Sequence, residues 1–332
     1  MKCVQFASTG RPSDVLQIVE REVGRPTRGE VRVRMLASPI NPSDLMFIQG
    51  TYGREAELPQ VPGFEGVGVV EESGGGLKGQ LFKGKRVAVL NKAGGNWAEQ
   101  VVVPVSQVIP LSASLSLDQA ATFFVNPATA WIMTQEVLQV PAGAWLLQTA
   151  AASTLGRMIV RLGKTCGFRT LNIVRRREQV DELQQLGGTS TLVFDARTDD
   201  PDELHAQIMA TTDSAGIKYA VDPVGGIAGS TVIRSLAAGG RMLAFGTLSE
   251  QPLHFSPRSL MTKGAAVEGF WLGNFMAQKN LIFKLRLVKR ITRLIRSGVL
   301  ASDISHRFPL EQISDAVEAA SSGKVLLTMS SN

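Results

Sequence analysis

Tyr52 carries the side chain best suited to chemistry in this sequence, an ionisable hydroxyl within the short segment Ser38–Gly53 (SPINPSDLMFIQGTYG). A phenol with a pKa near 10 is protonated at neutral pH and can give a proton to a reacting atom. Asn41 lies in the same segment. Its amide could hold the Tyr52 hydroxyl or a sugar hydroxyl, or it could simply close an Asn-Pro turn on its own backbone. Most tyrosines are packing residues, so a catalytic role for Tyr52 needs support from elsewhere in the chain.

A second chemically informative group is the run Arg175, Arg176 and Arg177, which directly follows the predicted strand Thr170–Val174. The run begins 19 residues after Gly156, where an NAD-binding fold would place an acid for the ribose hydroxyls. Guanidinium groups at this point suit a 2′-phosphate instead. The alternative is a solvated basic helix start, which the helix dipole slightly disfavours. The pattern therefore favours NADPH over NADH.

The loop Thr149–Gly156 (TAAASTLG) lies between a predicted strand, Ala144–Gln148, and an amphipathic helix. A helix start after a strand and a small-residue loop can bind a pyrophosphate through free amides and the helix dipole. Only Gly156 remains of the G-x-G-x-x-G pattern, however. Judged by the loop alone, a plain helix start capped by Ser153 or Thr154 explains these residues equally well.

The surrounding elements predict two domains. Residues 1–123 are mostly strands and turns, such as the alternating strand Glu30–Met35, and the prolines at 39, 42, 59 and 62 are expected to interrupt helices. Beyond them strands alternate with helices, which is typical of a parallel sheet with crossover helices. We predict an α/β protein: a doubly wound Rossmann cofactor domain over residues 124–271, and a β-rich catalytic domain formed by residues 1–123 and 272–332.

Composition narrows the functional classes. The chain has 332 residues, 44% of them hydrophobic and 19% charged, as in an ordinary globular protein. No apolar run approaches the roughly 18 residues of a membrane span, and the N-terminus has no leader-like segment. Two distant cysteines and three scattered histidines predict neither a disulfide framework nor a metal site. We therefore expect a cytoplasmic protein without membrane contact.

The net charge of +6 could indicate nucleic-acid binding, but no nucleic-acid module is recognisable. A basic balance also suits other anionic partners, such as a phosphorylated cofactor or an acidic protein, and net charge alone does not choose among them. The most basic segment, Lys279–Arg296, has the pattern of an amphipathic helix. We predict that Leu281, Leu285, Val288 and Ile295 form its buried stripe. Its basic face, which includes Arg290 and Arg293, is either a solvated surface or a docking site for an acidic protein.

These segments together resemble the medium-chain dehydrogenase/reductase superfamily over nearly the whole chain. Gly63-Phe64-Glu65-Gly66 is similar to the Gly-His-Glu segment of that superfamily, with Phe64 in place of the zinc-ligating histidine. The catalytic cysteine of zinc members is also missing near Ser38–Asp44. The resemblance is therefore to zinc-free members. Within them it points to the mitochondrial-type 2-enoyl thioester reductases, through INPSD at 40–44, QGTYG at 49–53, NWAEQVVVP at 96–104, VNPATAW at 125–131, FWL at 270–272 and SGKVLLTM at 322–329.

The resemblance implies a GroES-like fold for the catalytic domain and a role for particular residues. Tyr52 would be the catalytic tyrosine, assisted by Asn41. The implied cofactor contacts are Asn126, Ala152, Ser153, Thr154, Leu155, Arg175, Arg176, Arg177, Phe245, Gly246, Thr247, Leu248, Phe270, Trp271, Leu272 and Lys324, and no metal is implied. Two stretches depart from the family pattern: Thr154-Leu155 replaces Gly-Val, and residues 245–248 (FGTL) replace Tyr-Gly-Gly-Met. Trp271 could instead line an acyl pocket or lie in the core.

The implied activity is NADPH-dependent reduction of the C2=C3 double bond of trans-2-enoyl thioesters, carried by coenzyme A or an acyl carrier protein, with Tyr52 as proton donor. One alternative is reduction of quinones or small α,β-unsaturated carbonyls, where solvent can protonate oxygen and Tyr52 would be dispensable. A second alternative is a non-enzymatic NADPH-binding protein, which the incomplete glycine pattern would permit. The resemblance also implies a homodimer, which the residues themselves do not show.

Overall fold

A computed structural model describes residues 1–329 of the chain, which separate into two compact units. Unit 1 comprises Met1–Val125 and the chain from Ser302 onwards, and unit 2 comprises Asn126–Ala301. Among residues 1–329, no helix has the length and apolar character that crossing a membrane requires.

The strands are, in chain order, β1 (Lys2–Phe6), β2 (Leu16–Glu20), β3 (Glu30–Ile40), β4 (Glu65–Ser73), β5 (Arg86–Leu90), β6 (Gln100–Pro104), β7 (Val108–Pro110), β8 (Trp145–Gln148), β9 (Arg169–Val174), β10 (Ser190–Val193), β11 (Ile217–Asp222), β12 (Leu236–Ala244), β13 (Ala266–Gly269), β14 (Ile304–Pro309) and β15 (Lys324–Thr328). The α-helices are α1 (Pro12–Val15), α2 (Pro42–Gln49), α3 (Leu77–Phe82), α4 (Leu117–Ala121), α5 (Val125–Trp131), α6 (Thr154–Cys166), α7 (Glu178–Gln185), α8 (Pro201–Thr211), α9 (Gly226–Arg234), α10 (Pro257–Met261), α11 (Leu272–Ala277), α12 (Leu281–Arg296) and α13 (Ile313–Ala319). Val105–Gln107 and Leu310–Gln312 are short 3₁₀ segments, and Ile132–Val137 forms π-helical turns.

Unit 1 is built on a mainly antiparallel sheet with strand order β14-β15-β3-β4-β5-β7, and β6 also pairs with β3. The long strand β3 pairs with three other strands because it spans 11 residues: its first residues pair with β6, its last residues with β15, and its middle with β4. Its side chains alternate between two faces of the sheet. Val31, Val33 and Met35 are buried in the core, while Arg34 on the other face pairs with Glu71 at 2.9 Å. The predicted strand at Glu30–Met35 is confirmed, and it continues to Ile40.

The expectation that prolines would interrupt helices in this part of the chain is wrong at Pro42. This proline is the first residue of α2, where its missing N–H costs no hydrogen bond and its fixed φ suits the helix. Asn41 precedes it as the N-cap, and Gly50 ends the helix in the left-handed region with φ of 79°. Pro12 begins α1 in the same way. A proline therefore marks where these helices begin.

Unit 2 contains a parallel sheet with strand order β10-β9-β8-β11-β12-β13. The chain starts at β8 in the middle, proceeds outward to β10, and returns to build the other half from β11 to β13. This reversal creates a switch point between β8 and β11, where ligands of such sheets usually bind at the carboxyl ends of the strands. The predicted doubly wound sheet is confirmed.

The division between the units differs from the predicted one at its final boundary. We placed the return to the catalytic domain at residue 272, whereas residues 272–301 group with unit 2. The physical reason is the packing of α12 and the residues that follow it. The Arg290 guanidinium lies 4.8 Å from the centre of the Trp131 ring, and Arg161 donates a 3.0 Å hydrogen bond to the carbonyl of Ala301.

The predicted buried stripe of α12 is also largely wrong. Leu281 and Leu285 are 62% and 61% exposed, and of the predicted stripe only Ile295 is fully buried. The helix is anchored instead by a neighbouring stripe that adds Leu287, Ile291 and Leu294 to Ile295. Two apolar stripes exist on this helix, and periodicity alone did not identify the one that faces the core.

Candidate active site

Tyr52 lies in unit 1, three residues beyond the last residue of α2, where its backbone N–H donates to the carbonyl of Met46 at 3.1 Å. Its ring packs against that of Phe64 with 5.4 Å between the ring centres. The side chain is half-buried. Burial, reinforced by the negative charge of Asp44, raises the pKa of Tyr52 to about 12, so the phenol holds its proton at all physiological pH values.

Asp44 fixes the segment that precedes Tyr52. Its fully buried carboxylate accepts a 2.8 Å hydrogen bond from the backbone N–H of Asn41, which closes a capping box at the start of α2. The other carboxylate oxygen accepts a 3.0 Å hydrogen bond from the backbone N–H of Phe64. Burial raises the pKa of Asp44, although both backbone hydrogen bonds oppose the shift. Asp44 thus connects α2 to the ring that contacts Tyr52.

Lys324, the first residue of β15, has a buried ammonium group. It donates to the carbonyl of Ile40 at 3.1 Å and to the side-chain oxygen of Asn41. Because an ammonium group only donates, the contact fixes which end of the Asn41 amide is the oxygen. Burial lowers the pKa of Lys324, and the charges of Glu65 and Asp44 oppose this. The hydrogen bonds of this predicted cofactor contact therefore lead into the interior of unit 1.

Glu65 completes this cluster and, like Asp44, was not among the predicted site residues. One of its oxygens accepts hydrogen bonds from the backbone N–H groups of Phe124 and Val125, at 2.7 and 2.8 Å. Burial raises the pKa of Glu65, while these bonds, the Lys324 charge and the nearby Asn41 amide lower it. The Asn41 nitrogen nevertheless makes no hydrogen bond of acceptable geometry within the described residues. The sequence signal for these two acids was their place in motifs that had already been singled out, Asp44 in NPSD and Glu65 in GFEG.

In unit 2, the predicted loop Thr149–Gly156 lies at the carboxyl end of β8, beside the switch point. Ser153 caps α6 by accepting a 3.1 Å hydrogen bond from the backbone N–H of Gly156. A Cβ on Gly156 would collide with the backbone of Ala151, so the one remaining glycine of the pattern permits close approach of helix and loop. The cap and a ligand-binding role are compatible, because a 13-residue helix has further free amides.

A buried acid that sequence reasoning missed joins the two strands at the switch point. Asp222, the last residue of β11, accepts from the Thr149 hydroxyl and from the backbone N–H groups of Val224 and Gly225, the latter two at 3.1 and 2.9 Å. Burial raises its pKa against these hydrogen bonds. Asp222 therefore fixes the loop after β8 relative to the loop after β11. Its position at a strand end was the only signal.

The three arginines lie at the carboxyl end of β9, with exposed side chains. Arg177 is the N-cap of α7, so the basic run precedes the helix. Because β9 and β10 are parallel neighbours, Asp195 follows β10 near this run, and the Arg175 charge contributes to lowering its pKa. The larger cause is Arg197, which contacts both oxygens of Asp195. Among the described residues, no ion pair engages Arg175, Arg176 or Arg177.

The other predicted contacts in unit 2 also follow strand ends. Residues 245–248 form the loop after β12, and Phe270, Trp271 and Leu272 follow β13. Trp271 is 43% exposed, so the alternative of a core tryptophan is wrong. Asn126 is partly buried in α5. The carboxyl edge of one parallel sheet thus brings together the predicted residues that follow β8, β9, β12 and β13.

Comparisons with known proteins identify the family. Family models match residues 27–113, as an alcohol dehydrogenase GroES-like domain, and residues 154–286, as a zinc-binding dehydrogenase. The human mitochondrial enoyl-[acyl-carrier-protein] reductase is 32% identical over 99% of this chain and 89% of its own length. The chain belongs to the medium-chain dehydrogenase/reductase superfamily. It is thus an oxidoreductase, and the expected GroES-like and Rossmann-type folds are confirmed.

Two solved structures are similar over almost the entire chain. A Bacillus thuringiensis protein described as a candidate NADPH:quinone reductase shares 30% identity with a TM-score of 0.90, and covers 98% of each chain. The complex of Etr1p with NADP and crotonyl-CoA shares 26% identity with a TM-score of 0.83, over 98% of this chain and 99% of the other. Within the described residues, no three His, Cys, Asp or Glu side chains form a group that could hold a metal ion.

Proposed function

We propose that this protein reduces the C2=C3 double bond of trans-2-enoyl thioesters with NADPH, and that Tyr52 donates the proton. The observation that carries the proposal is a half-buried phenol, with its pKa raised to about 12, in a segment matching the enoyl reductases. The human relative is named an enoyl-[acyl-carrier-protein] reductase, and the Etr1p complex contains NADP and crotonyl-CoA. These names favour an enoyl thioester over other unsaturated substrates.

The residues of unit 2 fit an NADPH molecule. The exposed arginines after β9 offer paired donors for a 2′-phosphate, and no described carboxylate forms an ion pair with them. The start of α6, capped by Ser153, presents amides for a pyrophosphate, and Gly156 allows the close packing that such sites need. NADPH, when bound, supplies the hydride that reduces the β-carbon of the substrate.

Tyr52 supplies the second component, a proton for the α-carbon. After addition at the β-carbon, negative charge is shared between the α-carbon and the thioester oxygen, and a carbon base of this kind can take a proton from a phenol. A high pKa keeps Tyr52 protonated before reaction. Phe64 and Asp44 hold the acid in place, the first through ring contact and the second through the hydrogen bonds that fix the backbone around it.

The second candidate function is reduction of quinones, and the similarity to the Bacillus thuringiensis structure favours it. A quinone is protonated on oxygen, for which water suffices, so this activity would not depend on Tyr52. The non-enzymatic alternative loses support because the chain belongs to a superfamily of oxidoreductases.

The test is Tyr52→Phe, with Tyr219→Phe as the matched control, since these are the only two tyrosines in the sequence. We expect Tyr52→Phe to lower kcat for crotonyl- or hexenoyl-CoA by more than about tenfold, or ~1.4 kcal/mol of barrier, with NADPH affinity unchanged. The control should retain its rate. Equal rates for wild type and Tyr52→Phe would reject the proton-donor role, and rapid turnover of quinones alone would favour the second function.

We further propose a homodimer. Strand β13 lies at the edge of the parallel sheet in unit 2, and an edge strand offers unpaired backbone groups to a second copy. Sedimentation measurements would test this, and a monomer at micromolar concentration would contradict it.

A further inference from the structure

The excess positive charge of the protein is concentrated on one helix. Helix α12 (LIFKLRLVKRITRLIR) carries six lysines and arginines and no acid. Its charge of +6 equals the net charge of the entire chain. The remaining 29 basic residues balance the 29 acidic ones. Among the described residues, no carboxylate forms an ion pair with the α12 cations. The helix therefore presents an uncompensated positive field to solvent.

The same helix exposes apolar side chains at its N-terminal end. Leu281, Ile282 and Leu285 are each about 60% exposed, while the opposite stripe, including Leu287 and Ile291, is buried. The exposed arc is narrow, because at 100° per residue Leu281, Ile282, Leu285, Arg286, Lys289 and Arg293 fall within roughly 140° of the helix circumference. We call these six residues the α12 surface. Within it, an apolar patch at one end adjoins a basic patch at the other.

We infer that the α12 surface is a docking site for a protein that presents an acidic helix with exposed apolar side chains. Charge complementarity accelerates such an encounter and orients the partner, while burial of the three aliphatic side chains adds affinity. Such a surface suits a transient partner.

The arrangement of the patch favours a protein over a membrane or a nucleic acid. A helix that lies in a bilayer interface separates its apolar and charged residues around its circumference along its full length. On the α12 surface they are separated along the helix axis instead, and the other apolar stripe is already packed within unit 2. Nucleic-acid surfaces pair basic residues with aromatic stacking platforms, whereas this patch is aliphatic.

The inference rests on the proposed function only in the choice of probe, an acyl carrier protein, which is small, acidic and helical. Arg290 is omitted from the variants because its guanidinium stacks on Trp131 and a change there would disturb packing. The charge variant is Arg286→Glu with Lys289→Glu, and the apolar variant is Leu281→Ser with Leu285→Ser. The matched control is Lys78→Glu with Lys83→Glu on and beside α3, where Leu77 and Leu81 are likewise exposed.

Binding of the carrier protein is measured by titration calorimetry at low and at physiological ionic strength. We expect each α12 variant to weaken binding at least about tenfold. The control, which changes the net charge as much as the charge variant does, should weaken it less than twofold. Wild-type affinity should fall with added salt, because exposed charges are screened. Equal weakening by the control would show that net charge alone acts, and unchanged binding by the α12 variants would overturn the inference.

Two further measurements distinguish a protein partner of the α12 surface from a membrane or a nucleic acid, and test its effect on turnover. Binding to phosphatidylserine vesicles or a DNA duplex that is tighter than carrier binding and lost in the α12 variants would replace the protein partner and overturn the inference. In turnover assays, the variants should raise KM for carrier-bound enoyl substrate about tenfold and leave KM for the coenzyme A ester unchanged. Absence of turnover with both substrates would count against the proposed function, while the calorimetric result would still decide the docking site.

Discussion

Lys324→Met tests whether the buried cluster of unit 1 is held together by its one ammonium group. The methionine side chain has a similar length and volume, so the change should leave only a small cavity. Lys324 is 6% exposed, and its ammonium donates to the carbonyl of Ile40 and the side-chain oxygen of Asn41. Removing one partner of a buried ionic cluster costs about 3–5 kcal/mol, because the opposite charges remain buried without compensation. We expect a loss of this size at pH 7.5.

The pH dependence gives a sharper signature. Lys324 lowers the pKa of both Asp44 and Glu65, although burial leaves both raised above their ordinary values. Without the ammonium these pKa values rise further, so the folded variant retains protons that the unfolded chain releases. Stability contributed by a raised carboxyl pKa is present at low pH and lost as the pH rises. The destabilisation by Lys324→Met should therefore be smaller at pH 5 than at pH 8.

Urea unfolding at pH 5, 6.5, 7.5 and 8 measures this difference, with Lys83→Met as an exposed control expected to change stability by less than about 0.5 kcal/mol. A loss below about 1 kcal/mol at pH 7.5, or an equal loss at pH 5 and pH 8, would refute the electrostatic reasoning. The first result would mean that Lys324 acts mainly through packing of its aliphatic stem, which methionine retains. The second would mean that the loss does not come from the charges of Asp44 and Glu65.

Two other predictions address the cofactor and the backbone. Arg175→Ala with Arg176→Ala should weaken NADPH binding about 10- to 100-fold and NADH binding less than threefold, because a phosphate loses paired donors; equal losses for both nucleotides, measured by fluorescence titration, would contradict a 2′-phosphate site. Gly63→Ala should destabilise the protein by about 2–4 kcal/mol, since Gly63 has φ of +97° and a Cβ would collide with the buried Trp97 ring. A fall in thermal midpoint of under about 1 °C would contradict this strain.

The features that the sequence predicted well depend on local patterns. The parallel sheet of unit 2 follows from short apolar strands alternating with helices, and the residues after each strand reach one edge because parallel strands all end there. The prediction at Pro42 was wrong because the residue type alone does not show whether a proline lies in the first turn of a helix or in its middle. Only the capping by Asn41 and Asp44 identifies Pro42 as a first-turn residue. On α12, two apolar stripes compete, and the choice between them depends on tertiary contacts.

The cluster around Asn41 could not be predicted for a different reason. Lys324 reaches Asn41 across 283 positions of sequence, and Glu65 meets Phe124 across 59. Such contacts leave no periodic signal in a single chain. Buried ionisable groups are recognised only once their burial is known, because the same residue types are usually found on the surface. Tyr52, by contrast, could be singled out from the sequence because it lies in a recognisable motif.

The way Phe64 is held has a consequence for how this fold can change its chemistry. Asp44 accepts a hydrogen bond from the main-chain N–H of that residue, so this contact does not depend on the side chain at position 64. The phenyl group of Phe64 therefore projects from a fixed backbone position, and its ring lies 5.4 Å from the Tyr52 ring at an interplanar angle of 34°. Phe64→Leu or Phe64→Trp would change the packing of the Tyr52 ring without removing the hydrogen bond that the backbone N–H of residue 64 donates to Asp44.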